Sequence, residues 1–291
     1  MTVDPARLYT MCEACIDDDQ AKVDAATAAL ERSVLSDPHG HAEAIVFGAR
    51  SFSTPERPTD EFDGAVRALR GADTMALHSL FDQLPTEPAL WPAIRDSYDD
   101  VAGVIELVDH LGIEVLSRAW NAYMRASSEE HWWAVHLVQD LPRWADNALY
   151  RHVLLQLVAD ADDDTIGDVG CGPLEDFISD DADDLAWIET ECEQRLAFRR
   201  ALRHVWCSSY VTPDTLVRLD VAAGMPLHRS GRSIDDFDEA LGVLADLEDL
   251  AGPHWRTIEH PTPEQSTAIA TYQHLLEVVE TPARHDQQER E

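Results

Sequence analysis

The chain has 291 residues, 45% of them apolar, and carries 56 acids against 22 bases for a formal net charge of -34. That apolar share can fill a sizeable core, which excludes a disordered or fibrous chain. The charge repels nucleic acid and anionic membrane, because a binder of either must neutralise phosphates with Lys and Arg.

Lys22 is the sole lysine, so nearly every cation is an arginine, as GC-rich codon usage would give. Five cysteines, spread from Cys12 to Cys207, fit reduced thiols better than a disulfide framework. No apolar run approaches the roughly 18 residues of a membrane span. Asp4 precedes any apolar stretch and no basic leader is present, so a cytoplasmic location is expected.

Taken in order, the chain opens on Cys12-Glu13-Ala14-Cys15. Zinc would need a second such pair and redox chemistry a βαβ setting, so these cysteines read as small core residues on a helix with Leu8. His39 and His41 flank Gly40 without a metal-binding spacing. Loops are expected at 53–58 and 84–88, each marked by two prolines. Trp120, Trp132, Trp133, Trp144, Trp187 and Trp206 concentrate in the middle of the chain and read mainly as core. Trp132 and Trp133 are adjacent, so on a helix they point about 100° apart and one of them can reach the surface. His131 and His136 lie five apart, one beyond the i,i+4 spacing that brings two ligands together.

Leu149, Val153, Leu157 and Val158 share a helical face. Asp160, Asp162 and Asp164 imitate the opening of an EF-hand loop, yet position six would be Thr165 and position twelve Cys171, so the loop fails. From His152 to Gln194 there are 14 acids and no Lys or Arg. Inside that stretch lies Gly170-Cys171-Gly172-Pro173-Leu174-Glu175-Asp176. It reads as a helix start: glycines free to take positive φ in a tight connection, Pro173 at the first helical position, and acids in the first turn.

Further stripes follow at Leu185, Ile188, Cys192 and Leu196, then Leu202 and Val205. A loop is expected over Gly224 to Gly231. Ser233 with Asp236 then precedes the cleanest stripe, Ile234, Phe237, Leu241, Leu244 and Leu247. Thr262-Pro263 with Gln265 forms a capping box before Ile269, Tyr272, Leu276 and Val279. The polar end, Arg284 to Glu291, is expected to fray. Strand alternation and hairpin turn signals are nearly absent. The expected fold is all-α, an irregular multi-helix bundle or a short α-solenoid. Its expected organisation is an N-terminal helical region over 1–104, a helical domain over 105–222, and C-terminal helices over 223–291.

The Gly-x-Gly-Pro-Leu-Glu-Asp motif follows a Trp-rich helix around Glu130-His131-Trp132-Trp133-Ala134 and a Leu-rich helix from Tyr150 to Ala159. Downstream come Trp187-Ile188-Glu189, Phe198-Arg199-Arg200-Ala201-Leu202 and Val205-Trp206. Together they resemble an uncharacterised bacterial domain family over about residues 105–220. The resemblance implies an all-helical domain and hands over no activity.

No nucleotide-binding, metalloprotease or hydrolase-elbow motif occurs, and no cofactor or metal is implied. The expected function is therefore non-catalytic capture of a basic protein partner, for example by an immunity or antitoxin-type protein, with no direct nucleic-acid or membrane contact. The expected binding surface combines Trp132 and Trp133 with Asp162, Asp163, Asp164, Asp168, Glu175 and Asp176. Two alternatives stand beside it. One is a DNA mimic with carboxylates at phosphate spacing. The other is an enzyme of unfamiliar type using Glu175 or Asp168 as a base with His131, His136 or His204.

Overall fold

The computed structural model describes residues 20–52, 63–97, 101–144, 146–206, 210–228, 234–252 and 255–280. The Cys12/Cys15 pair, the 53–58 loop, Ser233 and the end from Arg284 lie outside the described residues. The fold is all-α, with no strand among the described residues. None of its helices is long and apolar enough to cross a membrane. The chain divides into two compact units, Met1–Asp160 and Ala161–Glu291. The division falls inside the span 105–222.

The first unit holds α1 (Gln20–Ser36), α2 (Pro38–Phe52), α3 (Asp63–Ala72), α4 (Thr74–Phe81), α5 (Trp91–Ser97), α6 (Val101–Leu111), α7 (Ile113–Ala126), α8 (Trp132–Trp144) and α9 (Asn147–Asp160). The expected loop after Leu84 is a run of turns followed by one 3-10 turn, Pro88–Leu90. α7 packs on α8 and α9, burying Leu116, Trp120, Trp133, Leu137, Val153, Leu154 and Leu157. The Ser117 hydroxyl donates to the Gln156 carbonyl at 3.2 Å, pinning α7 to α9. Arg95 makes a forked pair with Asp140, at 2.9 and 3.2 Å. His78 and His110 stack at 4.1 Å, and each ring also meets a carboxylate, Glu106 or Asp82.

α2 begins as local chemistry dictates: Pro38 needs no N–H partner at a helix start, and Asp37 accepts from the Gly40 N–H at 3.0 Å. His41, one turn on, is fully buried, and neither ring nitrogen has a hydrogen-bond partner among the described residues. Burial pushes its pKa down from 6.5 to about 4, opposed in part by the nearby Asp37 carboxylate. A folded-state pKa below the unfolded value means that the neutral ring stabilises fully above about pH 6.5, and this contribution is lost as pH falls towards 4. At 1.36 kcal/mol per unit the loss is about 3 kcal/mol. Urea unfolding at pH 7 and pH 4.5 should show this loss in the native protein and a flatter dependence in His41→Leu. Equal pH slopes for the two would contradict it.

The second unit holds α10 (Ile166–Val169), α11 (Glu175–Phe177), α12 (Ala182–Gln194), α13 (Leu196–Leu202), α14 (Pro213–Ala223), α15 (Ile234–Ala251) and α16 (Pro263–Glu280). α12 packs on α13 and α14, with Trp187 edge-on to Phe177 at 5.2 Å and to Phe198 at 5.3 Å. α15 and α16 pair over Phe237, Ala240, Leu244, Leu247, Tyr272 and Val279, with Trp255 in the same cluster. The capping box before α16 is formed in both directions. Gln265 N–H donates to the Thr262 hydroxyl at 3.2 Å, and Thr262 N–H donates to the Gln265 side chain at 2.9 Å. Ile234 is an exception to its stripe. It sits at the first residue of α15 with 44% exposure, and Ala240 takes a place in the core instead.

The segment from Gly224 is more than a loop. Gly224 ends α14 in the left-handed conformation, φ 74, as a helix C-cap glycine does. Met225, Leu227 and His228 then turn inward and are buried. His228 stacks on Trp206 at 4.2 Å and meets Phe237 edge-on at 5.4 Å, joining this strap to α15.

Candidate functional site

The Gly-Pro motif forms one helical segment: α10 runs into a single π turn, Gly170–Leu174, and then into α11. Proline causes the widening. Pro173 has no N–H to donate, and in α geometry its ring would press on the carbonyl four residues back; a wider turn relieves both problems. Glu175 N–H accordingly donates to the Gly170 carbonyl, five residues back. The expected helix start with positive-φ glycines is thereby corrected. Gly170 has φ -65, and the positive-φ glycines among the described residues are Gly112, Gly224 and Gly252. Gly170 must be small for another reason: a Cβ there would lie 2.7 Å from His204 Cβ and collide with the Ala201 carbonyl oxygen. The motif is the close packing of this turn onto α13.

Most carboxylates of the acid-only stretch have internal work. Asp162 accepts from the Thr165 N–H and hydroxyl at 3.2 and 3.1 Å, which closes the turn before α10. Glu175 accepts the Trp206 N–H at 2.8 Å, and Tyr210 donates to the Glu175 carbonyl at 3.2 Å, so this residue ties α11 to the chain after α13. Asp180 accepts from Thr215 and Thr212, at 2.6 Å from the Thr215 hydroxyl, and these bonds hold its carboxyl below the usual range. Asp181 caps α12 through the Asp183 and Asp184 N–H groups. Glu189 forms a forked pair with Arg218 at 2.7 and 2.9 Å, and Glu191 pairs with Arg195. Asp163, Asp164 and Asp176 face solvent, with Arg200 Nη1 3.9 Å from Asp163.

Asp168 is half-buried. Desolvation raises its pKa, against the pull of the nearby His204. The His204 imidazole is itself held below its usual pKa, first by burial, while Asp238 and Asp168 favour its charged form and Arg203 opposes it. Of the three histidines considered for an acid–base role, His204 is thus the one in electrostatic contact with an expected carboxylate. His131 and His136 belong to the first unit. Trp132 and Trp133 do as well. Trp133 is fully buried among the core residues, so its ring offers no surface to a partner. Trp132 is half-buried and packs edge-on against His136 at 4.7 Å. No cluster of three His, Cys, Asp or Glu side chains among the described residues is placed to hold a metal ion.

Two features have no counterpart in the sequence reading. The first is a buried guanidinium. Arg203, at the end of α13, donates from Nη1 and Nη2 to Glu248 of α15 at 2.8 and 2.6 Å, and from Nε to the Ala223 carbonyl at 2.9 Å. Both partners are 3% exposed. Arg200 adds a bond to Asp249 at 2.7 Å and lies 3.6 Å from Glu248. The second is the outer face of α15, where Asp235, Asp238, Glu239, Asp246 and Asp249 are all exposed. Their spacing places them on one side of the helix, opposite the buried Phe237, Ala240, Leu244 and Leu247.

Residues 122–225 match the model of a family described as a family of unknown function, DUF6869. No curated protein and no solved structure matches the chain. The match overlaps the region whose residues resemble an uncharacterised family, and it brings no activity with it. The matched segment contains the π turn, Glu175, Asp168 and the arginines of α13. It ends at Met225, before the carboxylate face of α15.

Proposed function

We propose that this is a non-catalytic protein that captures a basic protein partner, in the manner of an immunity or antitoxin-type protein. The acidic outer face of α15 carries the reading. Five exposed carboxylates lie on one side of an amphipathic helix, Asp249 among them bonded to Arg200, and they would chiefly speed and select encounter with a cationic surface. The candidate catalytic carboxylate Glu175 is engaged with a backbone N–H, which favours a structural role for it. Asp163, Asp164 and Asp176 supply further exposed charge in the same unit. A duplex mimic would need two such rows: from Asp235 to Asp249 the axis rises about 20 Å at 1.5 Å per residue, roughly 4 Å per carboxylate in a single row, against about 1.7 Å per phosphate over both strands of duplex DNA.

The test is affinity capture from the native host with the full chain, at low and at high salt, beside a variant carrying Asp235→Asn, Glu239→Gln and Asp246→Asn. These side chains are exposed, so the variant should melt as the native chain does. The expected result is a basic protein retained at low salt, released at high salt, and lost or much reduced with the variant. Retention of the same protein by the variant, or no basic protein retained by the native chain, overturns the proposal.

A further inference from the structure

The second unit contains a cavity of about 270 Å³ between α12, the end of α14 and the 3-10 turn at Trp255–Thr257. Glu189, Cys192, Glu193, Arg199, Gly224 and Arg256 are among its lining residues. The charges there run against the rest of the molecule. Arg199 spends Nε and Nη2 on the Cys192 carbonyl at 3.1 and 2.9 Å, and Arg256 gives Nη2 to the Gly224 carbonyl. Both guanidiniums thus bond neutral groups, with the Tyr272 hydroxyl also beside Arg256, and neither has a carboxylate partner among the described residues, in a protein of net charge -34. The other arginines of this unit with described ion pairs, Arg195, Arg200, Arg203 and Arg218, all have acidic partners. Glu189 is neutralised by Arg218, which leaves Glu193 as the carboxylate that faces the cavity without such a partner.

The pocket is also kept open and its cations fixed. The Arg256 guanidinium carbon lies over the Trp255 ring, 4.5 Å from its centroid, a cation–π contact that holds the guanidinium without reducing its charge. Gly224 takes φ 74, and a Cβ there would stand 3.2 Å from Arg256 Nη1. A side chain at 224 would therefore be strained and would crowd the charged group. The volume is that of about nine liquid waters at 30 Å³ each, room for a ligand of several heavy atoms.

We propose that this cavity binds a small oxyanion, a carboxylate or phosphate group held by N–H groups of Arg199 and Arg256 that the Cys192 and Gly224 carbonyls do not take, with Glu193 at the rim limiting its affinity. Two charge-assisted contacts partly offset by one like charge correspond to dissociation constants in the millimolar range for a fragment-sized ligand. The site is distinct from the acidic face of α15 and would give this protein a small-molecule input alongside a protein partner.

The test titrates succinate and inorganic phosphate separately into the full chain by calorimetry at constant ionic strength, with R256Q and E193Q alongside. At least one probe should saturate. R256Q should weaken it about tenfold or more through loss of a charge-assisted contact. E193Q should tighten it about threefold by removing one like charge. Saturation by phosphate alone assigns a phosphate ester, by succinate alone an organic acid, and by both the shared oxyanion chemistry. If R256Q unfolds, E193Q decides, because that side chain is exposed and the fold does not depend on it. Failure of both probes to saturate, unchanged affinity in a folded R256Q, or affinity that is unchanged or weaker in E193Q overturns the proposal.

Discussion

Glu248→Leu is expected to cost about 3–5 kcal/mol of stability, the range for removing one partner of a buried ion pair. The loss arises because Arg203 would keep its charge in a site where it is 3% exposed, with both of its carboxylate bonds gone. Arg200, 3.6 Å from the same carboxylate, would lose a second favourable contact. Arg203→Met should cost a similar amount, since it strands the Glu248 carboxylate and also leaves the Ala223 carbonyl, at the end of α14, without its donor. The double variant Arg203→Met, Glu248→Leu separates the two accounts. If the singles are costly because of a stranded charge, the double should recover most of the loss and leave only about 1–2 kcal/mol for the Ala223 carbonyl. Urea unfolding of the four proteins checks this. Singles within 1 kcal/mol of the native chain, or a double equal to the sum of the singles, would mean that the pair contributes through packing alone.

The features legible in the sequence were local ones. The capping box at Thr262 and Gln265 and the stripes of α9, α12, α15 and α16 depend on residues three to eight apart, and periodicity reads those directly. Ile234 departs from its stripe at the first residue of α15, where it is exposed. The acid-only stretch was visible as charge, but its use was not. Glu189 meets Arg218 and Asp180 meets Thr212 and Thr215 across 29 to 35 positions, a separation at which composition carries no pairing information. Arg203 and Glu248, 45 apart, lie in ordinary amphipathic helices and give no signal at all. The same holds for Arg199 and Arg256, whose importance comes from partners that are carbonyls instead of carboxylates. Among the tryptophans, adjacency of 132 and 133 predicted divergent directions, and the ring that turns inward is Trp133.

The two glycines of the family-like motif should respond in opposite senses. Gly170→Ala places a methyl against the Ala201 carbonyl oxygen and 2.7 Å from His204 Cβ, both fixed in or beside α13. Neither atom is the loose end of a flexible side chain, so the π turn must move away from α13. That movement opens the contacts of the buried Val169, Leu174 and Phe177 and lengthens the Glu175 bond to the Trp206 N–H. Overpacking of a fixed contact costs about 1–3 kcal/mol, and the upper end is expected here because backbone must yield. Gly172 has no atom within 4 Å of the position its Cβ would take, and its φ is not positive. Gly172→Ala therefore adds only the helix preference of alanine, a gain of up to about 1 kcal/mol. Thermal melts of the two variants would then fall on either side of the native protein. A destabilised Gly172→Ala would instead mean that the position before Pro173 needs backbone freedom that alanine lacks. A neutral Gly170→Ala would show that α10 and α13 can separate freely, leaving the motif without the packing role derived from its geometry.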